Sequence, residues 1–147
     1  MTPTKSDWLA AWSTFATAVV AALALTVAVI QVRTSNEAQR EATAQDTYKE
    51  YLKLAIENPD LSDGLETLPT DQKLRTKYGW FVSYFLHSAE HVFLIYPNDP
   101  EWRAAISNQV CFHRAFLRGD DYQTNLQFHY NEQFRNLVKE ALGKCKQ

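Results

Sequence analysis

The apolar residues of this chain fall into one long uninterrupted run, followed by several shorter segments with helical spacing. Residues 9–32 (LAAWSTFATAVVAALALTVAVIQV) contain no charged side chain. At 1.5 Å per residue this run makes roughly 36 Å of helix, enough to cross a hydrocarbon core of about 30 Å. Trp8 and Trp12 stand at its start, where indole rings favour the lipid headgroup layer. The pattern predicts a transmembrane helix over residues 9–32, preceded by a short tail of residues 1–8.

A cleaved signal peptide is the alternative interpretation of this run. Such a peptide has a basic amino-terminal region, an apolar stretch of roughly 7–15 residues and a small-residue cleavage site. Here Lys5 is balanced by Asp7, and the apolar run is longer than that range. These differences favour a membrane anchor, and the lipid bilayer is therefore the first partner that the sequence predicts.

The orientation of the anchor follows from the basic residues on its two sides. Lys5 and the amino terminus precede the run, whereas Arg33, Arg40 and Lys49 follow it. Because basic flanks stay on the cytoplasmic side, we expect the amino terminus outside and the carboxy-terminal domain in the cytoplasm, at a bacterial inner membrane.

The predicted span has two different faces. Small and hydroxylated residues recur at alternating spacings of four and three on one of them: Ala10, Thr14, Thr17, Ala21, Ala24, Ala28 and Gln31. The opposite face carries Leu9, Trp12, Ala16, Val19, Leu23, Thr26 and Ile30. Small residues let helix backbones approach closely in lipid, and a seven-residue repeat favours a left-handed bundle. Since one span has no partner within its own chain, we expect a homo-oligomer; the alternative is that alanine is simply common in membrane helices.

Beyond the span the spacing predicts an all-α fold, in which a polar helical stalk (33–47) leads into a small helical-bundle domain (48–147). The first helix continues to about Glu57, where Asn58-Pro59 ends it, and the turn-rich residues 58–70 form a loop. Further helices are expected over about 71–96, 100–118, 122–128 and 131–142. Gly119 and Gly143 are the expected helix stops.

Apolar side chains recur at helical spacing along the second and third of these helices. The second carries Leu74, Tyr78, Val82, Phe85, Ala89, Val92 and Tyr96, and the third carries Trp102, Ile106, Val110, His113, Phe116 and Leu117. Since His113 lies in the middle of an apolar face, we interpret it as a core histidine. About 95 residues of such helices suffice to bury a core.

Composition removes several classes of function. The 147 residues carry 15 Lys+Arg against 17 Asp+Glu, a net charge of −2, which argues against a general nucleic-acid binder. Cys111 and Cys145 lie far apart in no metal-ligand spacing, so neither a zinc knuckle nor a disulfide scaffold is expected. Two unpaired cysteines agree with a reducing compartment. Glycine-rich phosphate loops and nucleophile motifs are absent, and no cofactor is predicted.

One short motif invites a catalytic interpretation. His87-Ser88-Ala89-Glu90-His91 matches the H-x-x-E-H pattern of one class of zinc peptidases. A catalytic zinc site needs a third protein ligand, and neither Glu132 nor Glu140 stands in a recognisable ligand motif. We therefore predict neither catalytic residues nor a metal site.

The same residues have a second interpretation. Trp80, His87, His91 and Leu94 share the face of the second helix opposite its main apolar face. A helix that is apolar on both sides is usually buried on both, in the fold or against another subunit. Packing at an interior or an interface is the leading interpretation, and a ligand pocket is the next.

Three arginines of the third helix make a further candidate. Arg103, Arg114 and Arg118 fall on one stripe, where guanidinium groups could clamp phosphates or carboxylates. The alternative is an ordinary solvated edge beside the core.

The soluble part resembles a group of short, uncharacterised bacterial proteins. The similar stretches are YKEYLKLAIENPDL (48–61), YGWFVSYFLHSAEHVFLIYPNDPEWR (78–103) and VCFHRAFLRGDDYQTN (110–125). The resemblance implies one amino-terminal span, a polar stalk and a compact helical domain, without an established activity. The layout is also similar to that of membrane effectors in antiphage systems.

Taken together, these features predict a non-enzymatic, homo-oligomeric sensor or effector at the membrane. Its domain would bind an anionic ligand such as a nucleotide second messenger, or a partner protein, and its span would transmit or execute membrane disruption. A membrane-anchoring adaptor for a cytosolic partner is the alternative, followed by a hydrolase with an unrecognised site.

Overall fold

The computed structural model describes the backbone of residues 5–145 and the side chains of Trp12, Phe15 and residues 17–145. Within these residues the fold is all-α, as predicted, with seven α-helices, one 3-10 helix and no strand. Their bounds are α1 (Lys5–Glu57), α2 (Pro59–Ser62), α3 (Gln72–Ile95), α4 (Pro100–Phe112), α5 (Arg114–Leu117), α6 (Asp120–Thr124), the 3-10 helix (Leu126–His129) and α7 (Glu132–Lys144). The chain divides into two compact units, residues 1–40 and 41–147. The side chains of Trp8, Leu9, Ala10, Thr14 and Ala16 lie outside the described part.

The first unit is dominated by the apolar segment of α1. This helix is long and apolar enough to cross a membrane, and none of its most apolar window is buried within the protein. Large side chains such as Val20 and Leu25 stay 65% and 68% exposed. Exposed apolar surface of this extent is unfavourable in water and agrees with the predicted membrane span.

One hydroxyl of this segment is satisfied within its own helix. The Thr26 hydroxyl donates to the Ala22 carbonyl at 2.9 Å. In a bilayer, polar groups have no water to bond, so such back-bonding lets a threonine face hydrocarbon. Thr26 is therefore compatible with the lipid-facing side on which the sequence placed it.

Packing in the second unit begins about one helical turn before Tyr48, the expected start of packing, because Ala44 is already only 2% exposed. Tyr51 is fully buried, and its ring contacts that of Phe85 with 5.2 Å between centroids. Its hydroxyl donates to the Gln109 side-chain carbonyl at 2.9 Å. The last turns of α1 therefore form part of the core of the helical domain.

Helix α3 is the central helix of this domain. As predicted, the spacing of its apolar residues buries Tyr78, Val82, Phe85, Ala89 and Val92. The helix begins after Asp71, whose carboxylate accepts from the Leu74 amide at 2.7 Å and caps the first turn. Leu74 itself is 42% exposed, because it lies in that first turn, at the edge of the core.

The prediction that the third helix continues to Leu117 or Arg118 is wrong at the carboxy-terminal end. The helix begins after Asp99 at Pro100, as expected, but α4 ends at Phe112 and α5 starts at Arg114. His113 between them has φ −95° and ψ 16°, outside the helical region. We attribute the break to the His113 ring, which a hydrogen bond to Tyr78 holds in the core.

The expectation of two unpaired cysteines is also wrong, since Cys111 and Cys145 form a disulfide. Cys111 is near the end of α4 and Cys145 directly follows α7, and the packing of these helices brings their Cα atoms to 5.4 Å. A sequence separation of 34 residues hides this proximity. The argument for a reducing compartment from the cysteines therefore no longer stands.

The turn-rich segment 58–70 contains the short helix α2, and Gly64 follows that helix closely. Gly64 has φ +78°, and a Cβ atom built there would lie 1.9 Å from the Phe112 carbonyl oxygen. Only glycine combines this conformation with so close an approach. Gly143, the expected stop of the last helix, lies instead inside α7, which continues to Lys144.

Candidate binding face on helix α3

The side of α3 that points away from the core carries a row of aromatic and apolar residues. Trp80, Tyr84, His87, His91 and Leu94 follow one another at spacings of four and three, and we call this row the outer face of α3. Trp80 is 74% exposed and Leu94 46% exposed, whereas His91 is half-buried. Large apolar residues in such a row are typical of a surface that another molecule covers.

Trp80 stands between two shallow grooves. The first, of about 360 Å³, is bordered by Gly79, Ser83 and Phe116. The second, of about 330 Å³, is bordered by Leu54, Leu61, Phe81 and Tyr84. Because Trp80 lines both grooves and is largely exposed, its indole ring is available to an incoming apolar or aromatic group.

The first groove combines an apolar floor with a charged edge. Gly79 has no side chain, and a Cβ atom there would lie 3.4 Å from the Phe116 ring, so the ring approaches the helix closely. At the rim, an Arg75 Nη atom lies 3.7 Å from a carboxylate oxygen of Asp121. Such a floor and rim suit a ligand with one flat apolar part and one polar part.

His87 and His91 form a pair on the outer face of α3. Their ring centroids are 4.3 Å apart, as expected for residues one helical turn apart. Burial, followed by the neighbouring His87 ring, lowers the pKa of His91, so its imidazole is neutral at neutral pH. Glu90, the third residue of the H-x-x-E-H motif, accepts instead from the Asn131 backbone N–H. Among the described residues, no group of three or more His, Cys, Asp or Glu side chains is arranged to hold a metal.

The three arginines of the predicted stripe all bond to backbone carbonyls of the domain. Arg103 donates to the Pro97 carbonyl at 3.1 Å, Arg114 to that of Cys111 at 3.2 Å and Arg118 to that of Leu142 at 2.9 Å. The Arg103 guanidinium also lies 5.7 Å from the centre of the Phe93 ring. Their positive groups are thus engaged in the fold, and an anionic ligand would have to compete with these bonds.

His113, predicted as a core histidine, is confirmed as one. Its side chain is fully buried, and its Nδ1 atom lies 3.0 Å from the Tyr78 hydroxyl. Burial lowers the pKa of His113 to about 4. It contributes to packing and does not reach the outer face of α3.

The sequence grouped Trp80, His87, His91 and Leu94 correctly on one face but missed two parts of the surface. Tyr84, which is 37% exposed, completes the row, and its spacing from Trp80 and His87 could have indicated it. The sequence places Phe116 only in the core. It does not predict that the Phe116 ring also borders the first groove, because the approach of this ring to Gly79 depends on the helix break at His113.

Comparison with models of known protein families, with curated proteins and with solved structures gives no match to this chain, so the resemblance drawn from its sequence stays a prediction.

Proposed function

We propose that this protein is a membrane-anchored, homo-oligomeric sensor or effector whose helical domain binds its ligand or partner through the outer face of α3. In this proposal α1 anchors the chain and transmits or executes the response in the membrane. The observation that carries it is the exposure of Trp80, 74% of whose surface is accessible in a domain with a well-packed core. Exposed indole rings between grooves are frequent binding anchors.

A role in binding rather than catalysis is supported by the polar groups of the domain. The Tyr78–His113 pair is buried in the core, and the arginines bond to carbonyl oxygens. The outer face of α3 presents aromatic rings, two imidazoles and a leucine, which bind by stacking, ligation and apolar contact.

The proposed orientation rests on the basic flank of the apolar segment, with Arg33, Arg40 and Lys49 on the cytoplasmic side. The Cys111–Cys145 disulfide argues in the opposite direction, because disulfides persist mainly in oxidising compartments. We retain the cytoplasmic orientation. In this orientation Cys111 and Cys145 would stay reduced in the cell and would form the disulfide only under oxidising conditions.

Self-association of the span is supported by the small-residue face, of which Thr17, Ala21, Ala24, Ala28 and Gln31 lie in the described part. Close backbone approach along this face would bring several domains together at the membrane surface. Membrane disruption is the response that we propose for such an assembly, as the layout of antiphage effectors suggests.

A test of this function measures the membrane potential of cells in which the full chain is expressed at rising levels. We expect depolarisation to increase with expression, and Trp80→Ala to abolish it at equal membrane content. Leu74→Ala is the matched control, since Leu74 is also exposed on α3 but lies outside the outer face. Cells that keep their potential at every level of expression would contradict the effector and favour an adaptor.

A further inference from the structure

We infer that His87 and His91 of two copies of this chain together bind one zinc-like divalent cation, which makes the outer face of α3 a metal-dependent contact between subunits. This inference rests on the proposed function, since it names both the ligand and the partner of that face. The metal is the signal, and the second copy is the partner that the signal recruits.

The two histidines already form half of such a site. Tetrahedral zinc with nitrogen ligands at 2.0–2.1 Å requires those nitrogens to lie about 3.4 Å apart. His87 and His91 are one turn apart on a rigid helix, with 4.3 Å between ring centroids, so small side-chain rotations bring one nitrogen of each ring to that distance. Helical histidines four residues apart bind zinc in this way.

The half-site is incomplete within one chain. Zinc takes four ligands in a closed site, whereas the described residues bring no third His, Cys, Asp or Glu to this pair. One carboxylate oxygen of Glu90 is already engaged, since it accepts from the Asn131 backbone N–H. A second copy of the same face supplies two more imidazoles, which completes a site of four nitrogen ligands around a two-fold axis.

The residues on either side of the pair suit a helix-to-helix contact. Trp80 lies seven positions before His87, and Leu94 seven positions after it, with Tyr84 and His91 at the intervening spacings of four and three. This is the spacing at which two helices bury side chains along a shared seam. Two copies joined at the histidines would therefore also cover Trp80 and Leu94, which one copy leaves exposed.

The donors also determine which cation fits. Imidazole nitrogens suit zinc, copper and nickel, whereas magnesium and calcium require oxygen ligands. The outer face of α3 offers two imidazoles, and the neighbouring Glu90 carboxylate accepts from the Asn131 backbone N–H. The expected ligand is therefore a transition-metal dication, with zinc as the simplest probe.

The experiment uses the full, untagged chain in nanodiscs after removal of metal with EDTA. Zinc binding is measured by equilibrium dialysis, and the zinc-dependent proximity of two α3 helices by spin labels attached at Lys73→Cys in a Cys111→Ser/Cys145→Ser background. We expect one zinc per two chains and a shorter label distance with zinc. His87→Ala and His91→Ala should each weaken binding at least about tenfold, whereas His129→Ala, at an exposed histidine of the 3-10 helix, should leave it unchanged.

One zinc per chain, binding that survives both substitutions, or an unchanged label distance would overturn the inference. These results separate it from the proposed function. If Trp80→Ala abolishes depolarisation but the His variants bind zinc normally, only the metal site is wrong. If zinc pairs the chains as expected but Trp80→Ala leaves depolarisation intact, the proposed function fails and the metal contact stands.

Discussion

The Tyr78 hydroxyl and His113 Nδ1 lie 3.0 Å apart in the centre of the helical domain and join α3 to the junction between α4 and α5. The Leu65 backbone N–H donates to the same hydroxyl at 3.3 Å, so this hydroxyl joins both segments to α3. Burial lowers the pKa of His113, so its imidazole is neutral at neutral pH, and its Nε2 atom has no hydrogen-bond partner among the described residues. A neutral histidine locked in this position makes the stability of the domain depend on pH.

We expect the domain to lose stability as the pH falls from about 6.5 towards 4. The unfolded chain binds a proton at His113 with an ordinary pKa near 6.5, whereas burial lowers the pKa of the folded state to about 4. The stabilisation is thus complete above 6.5 and lost between these values, by up to about 3 kcal/mol. Urea unfolding of the full chain in detergent micelles at a series of pH values measures this change.

The control for the pH dependence is His113→Leu, which removes the titrating group and should flatten the profile over this range. His129→Ala, at an exposed histidine, should leave the profile as it is. A domain whose free energy of unfolding is constant between pH 6.5 and 4 would show that His113 titrates normally in the folded state.

Two glycines should respond to alanine in opposite ways. Gly64→Ala should cost more than about 2 kcal/mol, because it combines a positive φ of 78° with a clash against the Phe112 carbonyl. Gly143→Ala should be neutral or stabilise by up to about 1 kcal/mol, since Gly143 lies exposed in α7 with no atom near a Cβ. Thermal unfolding of the two variants compares these effects, and equal midpoints would contradict the geometry at Gly64.

Arg118 should stabilise the end of α7. Its guanidinium donates to the Leu142 carbonyl at 2.9 Å, one of the last four carbonyls, which have no partner within a helix. Arg118→Ala should therefore lower the free energy of unfolding by about 1 kcal/mol. The matched control is Lys144→Ala, whose exposed ion pair with Glu140 should contribute less than about 0.5 kcal/mol. Hydrogen exchange in the last turn of α7 should rise in the first variant alone.

The redox state of Cys111 and Cys145 tests the orientation of the domain. If the domain is cytoplasmic, thiols trapped with maleimide after rapid acid quenching of cells should be free, and should pair on oxidation of the purified protein. A carboxy-terminal green fluorescent protein should then fluoresce. Paired cysteines in living cells, together with an active carboxy-terminal alkaline phosphatase, would reverse the orientation.

The local parts of the fold were predictable from the sequence, and the parts that depend on long-range contacts were not. The end of α1, the start of α4 at Asp99-Pro100 and the buried face of α3 follow from propensity, capping and spacing. The break at His113 and the Cys111–Cys145 pairing arise only when distant helices meet.

The candidate site was predictable in part for the same reason. Helical spacing identifies which side chains share a face with Trp80, but not whether another helix of the chain covers that face. The arginines show the same limit. Helical spacing predicts that they share a stripe, but it does not predict their carbonyl partners, because a partner such as Leu142 for Arg118 is distant in sequence.

The central claim, a homo-oligomer assembled through its span, is tested most directly by chemical crosslinking of leucine variants in membranes. Ala21→Leu and Ala24→Leu should push neighbouring backbones apart and abolish the crosslinked oligomer, because bulk on the small-residue face prevents close approach. Val19→Leu, on the opposite face, is the control, since lipid accepts bulk freely. Loss of the oligomer confined to the Ala21 and Ala24 variants is the result that this account predicts, and equal crosslinking of all three variants would contradict it.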